Sequence, residues 1–382
     1  MSNDFSRNAH VSSRELGSRT RILQALHIDP WLMLPLVALS VSGLFVLYSA
    51  SGQSDTMLMT QIRNLGVAFF VLLVTAQLKV ATLKGVSPYI FSITVALLMG
   101  VAFFGVGAKG AQRWLDLGFI RFQPSEVMKV AMPLAVAWWL SKKALSPARR
   151  ELLIAFLMVA LPSLLILGQP DLGTSLLVAI SGLSVIFMAG IHWRYILSML
   201  FLTGLSIWPA WLFVLKDYQK QRVLTLFNPE SDRLGAGWNI IQSKTAIGSG
   251  GWEGLGWTQG SQAQLDFLPE GHTDFIIAVL AEEFGFRGVA LLFLLYAIIL
   301  VRGLIISWQA QSSFARLLAG ALIATFFFGL IVNLGMVSGL LPVVGVPLPM
   351  VSWGGTAMVS MMIAFGILMA ISTEHSVTQG MR

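Results

Sequence analysis

Apolar residues along this chain gather into long runs that are separated by short polar stretches. A helix needs about 20 consecutive apolar residues to cross the hydrocarbon core of a membrane. By that measure ten segments can span, at residues 30–50, 58–78, 86–106, 124–141, 151–169, 171–190, 194–215, 273–301, 315–339 and 348–372. The pattern therefore predicts an all-α, polytopic membrane protein with about ten transmembrane helices.

The composition agrees with this prediction and excludes other classes of protein. Of the 382 residues, 56% are hydrophobic and only 11% are charged, whereas soluble domains carry roughly 25% charged residues. The net charge of +7 comes from short basic clusters between apolar runs, which is typical of topology signals, so nucleic acid is not expected as a partner. The chain has no cysteine, which excludes disulfides and cysteine metal sites.

The basic residues also predict an orientation. Lysine and arginine concentrate on the connections that share a side with the N-terminus, and the positive-inside rule places that side in the cytoplasm. An even number of spans then puts both termini inside. We predict a cytoplasmic tail at 1–29, a membrane domain at 30–372 and a cytoplasmic tail at 373–382. The long loop at 216–272 faces outward, and its mixed glycines, tryptophans and aliphatic residues predict an ordered cap on the membrane surface.

The stretch LPEGHTDFIIAVLAEE, residues 268–283, carries four acids near the start of the eighth segment. On a straight helix Glu282 lies about 12 Å deeper than Asp274 and about 80° round the axis. We therefore expect Glu270 and Asp274 at the membrane surface, with Glu282 and Glu283 inside the membrane and pointing to different sides. Asp274 has two interpretations, a helix N-cap or a functional carboxylate.

A second group of charges precedes and enters the fourth segment. Glu126 and Lys129 in QPSEVMK are i,i+3 neighbours on one helix face, which indicates either a self-contained ion pair or the charged wall of a polar cavity. The basic residues Lys109, Arg113 and Arg121 lie just before this helix and could meet a phosphate.

The third candidate region is NLGMVSGLLPVVGVPLPMVSWGGTAM, residues 333–358, where three prolines and five glycines interrupt the last two segments. Irregular backbone at membrane depth is tolerated where it is buried in protein or lines a wet cavity. Ordinary kinked packing is the alternative.

These motifs together resemble one family. The runs QPSEVMK, GQPDLGTS, DYQKQRV, FNPESDRLGAGWNIIQSKTAIGSGG, LPEGHTDF and GMVSGLLPVVGVPLPMVSWGG occur in this order over about residues 29–372. They are similar to the SEDS family (shape, elongation, division and sporulation) of peptidoglycan glycosyltransferases. Trp353 departs from the family pattern, where a tyrosine is expected.

The resemblance implies a function and a set of site residues. It implies polymerisation of lipid II into glycan strands, with Asp274 as the catalytic acid, Trp114 as a functional residue, and Glu126 and Lys129 as the charged pair of a central cavity. We expect Arg113, Lys244, Glu270 and His272 to line the substrate site. The family also implies a class B penicillin-binding protein and other elongation-complex membrane proteins as partners, in the bacterial inner membrane with the active site facing the periplasm.

The chemistry that the family implies is compatible with these residue types. An α-linked sugar pyrophosphate that yields a β-1,4 linkage reacts with inversion, which requires a general base and a stabilised leaving group rather than a covalent nucleophile. No cofactor is required by the residues, and a divalent cation, Mg²⁺ or Mn²⁺, is an open alternative to arginine and lysine for neutralising the pyrophosphate. Two further functions stay open, a lipid II flippase and a non-catalytic scaffold.

Overall fold

The computed structural model describes residues 27–380 except 109–110, 117, 119–120, 143–146, 216, 233–234 and 266. Lys109 and most of the N-terminal tail therefore lie outside the described residues. The α-helices are α1 Pro30–Ala50, α2 Asp55–Ala76, α3 Val80–Phe104, α4 Pro124–Leu140, α5 Arg149–Gly168, α6 Leu172–Met188, α7 Trp193–Pro209, α8 Asp217–Phe227, α9 Ala236–Gly250, α10 Ser261–Gln264, α11 Ile276–Gln309, α12 Ser313–Val337 and α13 Gly355–Gly380.

The helix starts follow local sequence signals. Asp29 precedes Pro30 and accepts a hydrogen bond from the backbone N–H of Trp31 at 3.1 Å, because proline fits the first helical position and a carboxylate satisfies an unpaired amide. Asp171 caps α6 by accepting a hydrogen bond from the backbone N–H of Thr174 at 3.2 Å. Each predicted apolar segment contains most of one helix, so the helical nature of all ten is confirmed.

The helices make this a multi-pass membrane protein. Among the described residues, seven helices are long and apolar enough to cross a membrane, namely α1, α2, α3, α5, α11, α12 and the Gly355–Glu374 part of α13. The helices α4, α6 and α7 have 17 residues each. The total of ten spans stays a prediction.

The fold is mostly helical, as predicted, and one short sheet was not predicted. Between α3 and α4, three short strands form an antiparallel sheet in the order β1 Val106–Ala108, β2 Ala111–Asp116 and β3 Arg121–Phe122. Gly118 adopts a φ of +85° between the second and third strands, a conformation that glycine adopts without steric cost. This sheet carries Arg113 and Trp114, and the third strand leads into Pro124.

The first helix runs alongside α11 over its whole length. At one end, Nη2 of Arg302 donates to Oδ2 of the buried Asp29 at 2.7 Å, and Oγ of Ser372 donates to the same oxygen at 2.6 Å. At the other end, Oγ of Ser49 donates to Oε1 of Glu283. We call these the tail end and the loop end of the bundle.

Glu282 and Glu283 consequently lie at the loop end, and the expectation that they lie deep in the membrane is wrong. The expectation assumed one straight helix from Asp274 onward. Instead α11 begins at Ile276 and breaks at Gly285, where φ is 61° and ψ is −162°. Both glutamates are buried, at 0% and 1% exposure, but level with the last turn of α1.

Residues 250–264, which we call the docked loop, fill the break in α11. The N–H groups of Leu255 and Gly256 donate to the carbonyls of Glu282 and Glu283 at 2.9 and 3.0 Å, and the N–H of Phe286 donates to the carbonyl of Gly251 at 2.9 Å. The docked loop thereby satisfies backbone groups that a helix break leaves without their usual partners.

Side chains reinforce the docked loop. Oε1 of Glu282 accepts hydrogen bonds from Oγ of Ser261 at 3.1 Å and from the backbone N–H of Gln262 at 3.0 Å. Trp257 donates from Nε1 to the carbonyl of Phe45 at 3.1 Å. The stretch 216–272 is thus organised by α8, α9 and α10 together with the docked loop, and α9 packs against α11.

Candidate active site

Residues 338–354 join α12 to α13 without regular structure, and we call them the broken segment. It enters the bundle: a Cβ on Gly43 of α1 would lie 3.0 Å from Cα of Val351. From α11, Oη of the buried Tyr296 donates to the carbonyl of Pro349 at 2.5 Å. Gly43 and Tyr296 both lie between the two ends of the bundle. The prediction of interrupted backbone buried in protein is therefore confirmed for Val346 and Leu348–Ser352, whereas Leu340 is 77% exposed.

The turn Glu270–Phe275, which we call the HTD turn, is clamped to the broken segment. The N–H of Trp353 donates to the carbonyl of His272 at 3.1 Å, and Oγ of Ser352 donates to the carbonyl of Thr273 at 2.5 Å. The rings of His272 and Trp353 meet edge to face with centroids 6.3 Å apart. Within the turn, Oγ1 of Thr273 donates to Oε2 of Glu270 at 2.8 Å.

Asp274 is the second-last residue of this turn and lies two residues before Ile276, the first residue of α11. Its carbonyl accepts a hydrogen bond from Nδ2 of Asn333 at 2.8 Å. Its carboxylate faces Gly345, where an added Cβ would lie 3.6 Å from Oδ2. Phe275 is the N-cap residue of α11, so the interpretation of Asp274 as the helix cap is wrong.

Glu126 and Lys129 form the predicted pair. Nζ of Lys129 lies 2.6 Å from Oε2 of Glu126, and their side chains are 11% and 8% exposed. Ser360 of α13 donates from Oγ to the same glutamate oxygen at 3.0 Å. Lys129 also lines a cavity together with Val346–Met350, Ser352 and Trp353. The broken segment therefore contacts this cavity on one side and the HTD turn on the other.

The short sheet reaches the broken segment through the hairpin between α5 and α6. Nη2 of Arg113 donates to the carbonyl of Pro170, and Nε of Arg113 lies 3.8 Å from Oδ2 of Asp171. Two residues on, a Cβ on Gly173 would lie 2.6 Å from the carbonyl oxygen of Val344. Trp114 follows Arg113 on β2, opposite Val106 of β1.

Lys244 of α9 meets the other end of the broken segment. A Cβ on Gly339 would lie 2.7 Å from Nζ of Lys244, so the ammonium group lies over the turn that follows α12. The predicted site residues Lys129, Lys244, His272 and Asp274 thus all approach the broken segment directly, and Arg113 does so through the hairpin.

Arg121 is engaged elsewhere. Its Nε lies 3.3 Å from Oδ2 of Asp116 on the exposed edge of the sheet. The N–H of Gly118 and the Arg121 guanidinium lower the pKa of Asp116 below its ordinary value. This pair gives Arg121 a local structural role.

Three further residues contact the site, namely Asn333, Ser352 and Ser360, and none of them was predicted from the sequence. Asn333 and Ser352 hold the HTD turn, and Ser360 holds Glu126. A signal was present for Asn333, because an amide inside an apolar helix requires partners. Serine is common in such helices and gave no comparable signal.

In the described part of the chain, protein side chains alone do not form a metal site. Among the described residues, no three histidine, aspartate or glutamate side chains converge in a way that could hold a metal ion. The alternative of a divalent cation stays a prediction.

Comparison with known proteins gives a consistent result. Residues 24–377 match the model of the FtsW, RodA and SpoVE family, described as cell cycle proteins. The chain is 49% identical over 350 residues to the peptidoglycan glycosyltransferase MrdB of Escherichia coli strain K12, covering 92% of this chain and 95% of that protein. It is 30% identical to the peptidoglycan glycosyltransferase RodA of Treponema pallidum, covering 93% and 100%.

Solved structures show the same fold. A chain from a peptidoglycan synthase complex, studied for how it coordinates polymerization and crosslinking, superimposes with a TM-score of 0.80 at 28% identity. That match covers 91% of this chain and 98% of the other. The rod shape determining protein RodA of Thermus thermophilus superimposes with a TM-score of 0.69 at 26% identity, covering 91% and 97%.

Proposed function

This chain belongs to the FtsW, RodA and SpoVE family of cell cycle proteins, and we propose from this that it polymerises lipid II into β-1,4 glycan strands. As a peptidoglycan glycosyltransferase it releases undecaprenyl pyrophosphate and serves cell elongation. The observation that carries the proposal is the convergence of Asp274, His272, Lys129 and Lys244 on the broken segment.

Asp274 acts as the general base. Its carboxylate accepts the proton of the acceptor sugar hydroxyl while that oxygen attacks the anomeric carbon of the donor. The bond from this carbon to the pyrophosphate oxygen breaks with inversion, and its electron pair leaves with the pyrophosphate. The clamped HTD turn supports this role, because a base must be held within hydrogen-bond reach of the proton that it removes.

Lys244 stabilises the leaving pyrophosphate. Lys129 already pairs with Glu126, and Arg113 faces Asp171. Lys244 is exposed and makes no ion pair with an acid in the described part of the chain. An ammonium group without a protein counter-charge, beside the broken segment, is suited to receive a phosphate. Arg113 is the second candidate through its remaining guanidinium donors.

We propose that this chemistry takes place at the periplasmic face. Ten spans with both termini in the cytoplasm put the loop end outside the bacterial inner membrane, so Asp274 and Lys244 meet the headgroup of lipid II there. The positive-inside pattern and the seven long apolar helices support this arrangement. A class B penicillin-binding protein is the proposed partner, and the likeness to a chain of a synthase complex supports it.

The test is glycan polymerisation from purified lipid II by the full chain with its class B penicillin-binding protein. We expect the wild type to form glycan strands and Asp274→Asn to form none, while the variant keeps the melting temperature and the partner binding of the wild type. Full polymerisation by Asp274→Asn refutes the base assignment. A wild type that only moves lipid II across vesicles supports a flippase instead.

A further inference from the structure

The buried side chain of Asn333 joins the two parts of the candidate site. Asn333 lies on α12, one turn before that helix ends at Val337, and it is 0% exposed. Its Nδ2 donates two hydrogen bonds of 2.8 Å each, one to the carbonyl of Asp274 and one to the carbonyl of Val346. One amide nitrogen therefore connects the HTD turn to the broken segment.

The orientation of this amide is fixed by its partners. Both acceptors are carbonyl oxygens, so the reversed amide would place Oδ1 against two oxygens and lose both hydrogen bonds. In the orientation adopted, Oδ1 is buried and has no hydrogen-bond partner among the described residues. A buried acceptor without a partner is unfavourable. The two hydrogen bonds from Nδ2 offset the cost of leaving Oδ1 without a partner.

The two carbonyls belong to residues on either side of the contact between the proposed base and the broken segment. Asp274 carries one of them, and its carboxylate faces Gly345, the residue before Val346. The preceding carbonyl, that of Thr273, is held by Ser352. The position of the carboxylate relative to the broken segment therefore depends on the Asn333 amide.

We infer that Asn333 is a positioning residue for Asp274: it sets where the carboxylate lies and has no contact with the substrate. This inference rests on the proposed function. Losing the amide frees the end of the HTD turn, which displaces the base without removing it. A displacement of about 1 Å in a catalytic group can lower the rate about 100-fold.

The test measures initial polymerisation rates against lipid II concentration for Asn333→Ala. We expect kcat to fall about 100-fold with KM nearly unchanged, since the leaving-group contacts remain. Asn333→Ser, which keeps one shorter donor, is expected to fall between Asn333→Ala and the wild type. If Asn333→Ala does not fold, the same kcat comparison is made with Asn333→Ser.

Tyr296→Phe is the matched control, because it removes a buried hydrogen bond to the same broken segment without touching the HTD turn. We expect it to lower the melting temperature comparably but to keep kcat. A normal kcat in the Asn333 variants, or an equal kcat loss in Tyr296→Phe, overturns the inference. Wild type and Asp274→Asn are measured alongside: an inactive wild type refutes the proposed function itself, whereas an active wild type with normal Asn333 variants refutes the positioning role alone.

Discussion

Asp274 and the pair Glu282–Glu283 lie within ten residues of one another, yet the protein uses them in opposite ways. At Asp274 the neighbours hold the backbone, through Asn333 on its carbonyl and Ser352 on the preceding one. At Glu282 the side chain does the holding, since its carboxylate binds Ser261 and Gln262 of the docked loop. The carbonyl of Glu282 is also held, by the N–H of Leu255, so the two acids differ in their side chains. The Glu282 carboxylate fastens the docked loop, whereas the Asp274 carboxylate faces Gly345 of the broken segment.

The sharpest test of this difference is the amide substitution at each acid. Asp274→Asn removes the proton acceptor, and loss of a general base costs about 100- to 10,000-fold in rate. Glu282→Gln keeps a side-chain oxygen that accepts from Ser261 and Gln262, so we expect polymerisation close to the wild-type rate. Both variants are compared in the lipid II assay, and similar losses would contradict the division of roles.

Substitutions in the buried pair Glu126–Lys129 test whether these cavity charges have a functional role, as proposed for Asp274, or a structural role, as for Glu282 and Glu283. Glu126→Ala leaves the Lys129 ammonium without its partner, which we expect to destabilise the protein by about 3–5 kcal/mol. The double variant Glu126→Leu, Lys129→Met removes both charges and is expected to recover most of that loss. The melting temperatures of the purified variants measure the loss of stability and its recovery. Lipid II binding by a stable double variant shows whether the pair also contributes to substrate binding. A double variant that melts as low as Glu126→Ala contradicts the ion-pair explanation.

Substitution of Gly285 tests whether the docked loop needs the helix break to keep its place against α11. A Cβ there would lie 2.4 Å from the backbone nitrogen of Gly254, and the φ of 61° is strained for any other residue. We expect Gly285→Ala to cost at least about 1–3 kcal/mol and to increase proteolysis within residues 250–264.

Gly248→Ala is the control for that variant, because nothing lies within 4 Å of a Cβ at this helical position. Alanine is favoured over glycine inside a helix by about 1 kcal/mol. Gly248→Ala should therefore melt at or above the wild-type temperature. Equal protease resistance of Gly285→Ala and Gly248→Ala would contradict the docked arrangement.

The smallest effect is expected from the ion pair between Arg287 and Glu253, which also joins α11 to the docked loop. Its atoms are 2.9 Å apart, but the two side chains are 71% and 72% exposed. Exposed ion pairs contribute roughly 0–1 kcal/mol, so Arg287→Ala should leave melting and proteolysis nearly unchanged. A large loss of stability would mean that this pair, rather than the backbone bonds, holds the loop.

The parts that could be predicted from the sequence are those that depend on local spacing. Helices arise where apolar runs are long enough, and Glu126 and Lys129 pair because they are three residues apart on one helix. The predicted depth of Glu282 was wrong because the prediction assumed a straight helix. A break at Gly285 is stable only when another segment, here the docked loop, forms hydrogen bonds with the backbone groups at the break, and local spacing does not show that segment. The role of Asn333 was missed for a similar reason, since one of its acceptors, Asp274, is 59 residues away.

The pairing of α1 with α11 has a consequence for biosynthesis. Asp29 and Arg302 are separated by 273 positions, and Ser49 meets Glu283 across 234. During synthesis the first helix therefore enters the membrane long before the ribosome has made its main neighbour. A nascent chain that ends before α11 leaves the Asp29 carboxylate without its arginine, so we expect such an intermediate to need a chaperone or the insertion machinery to shield the first helix.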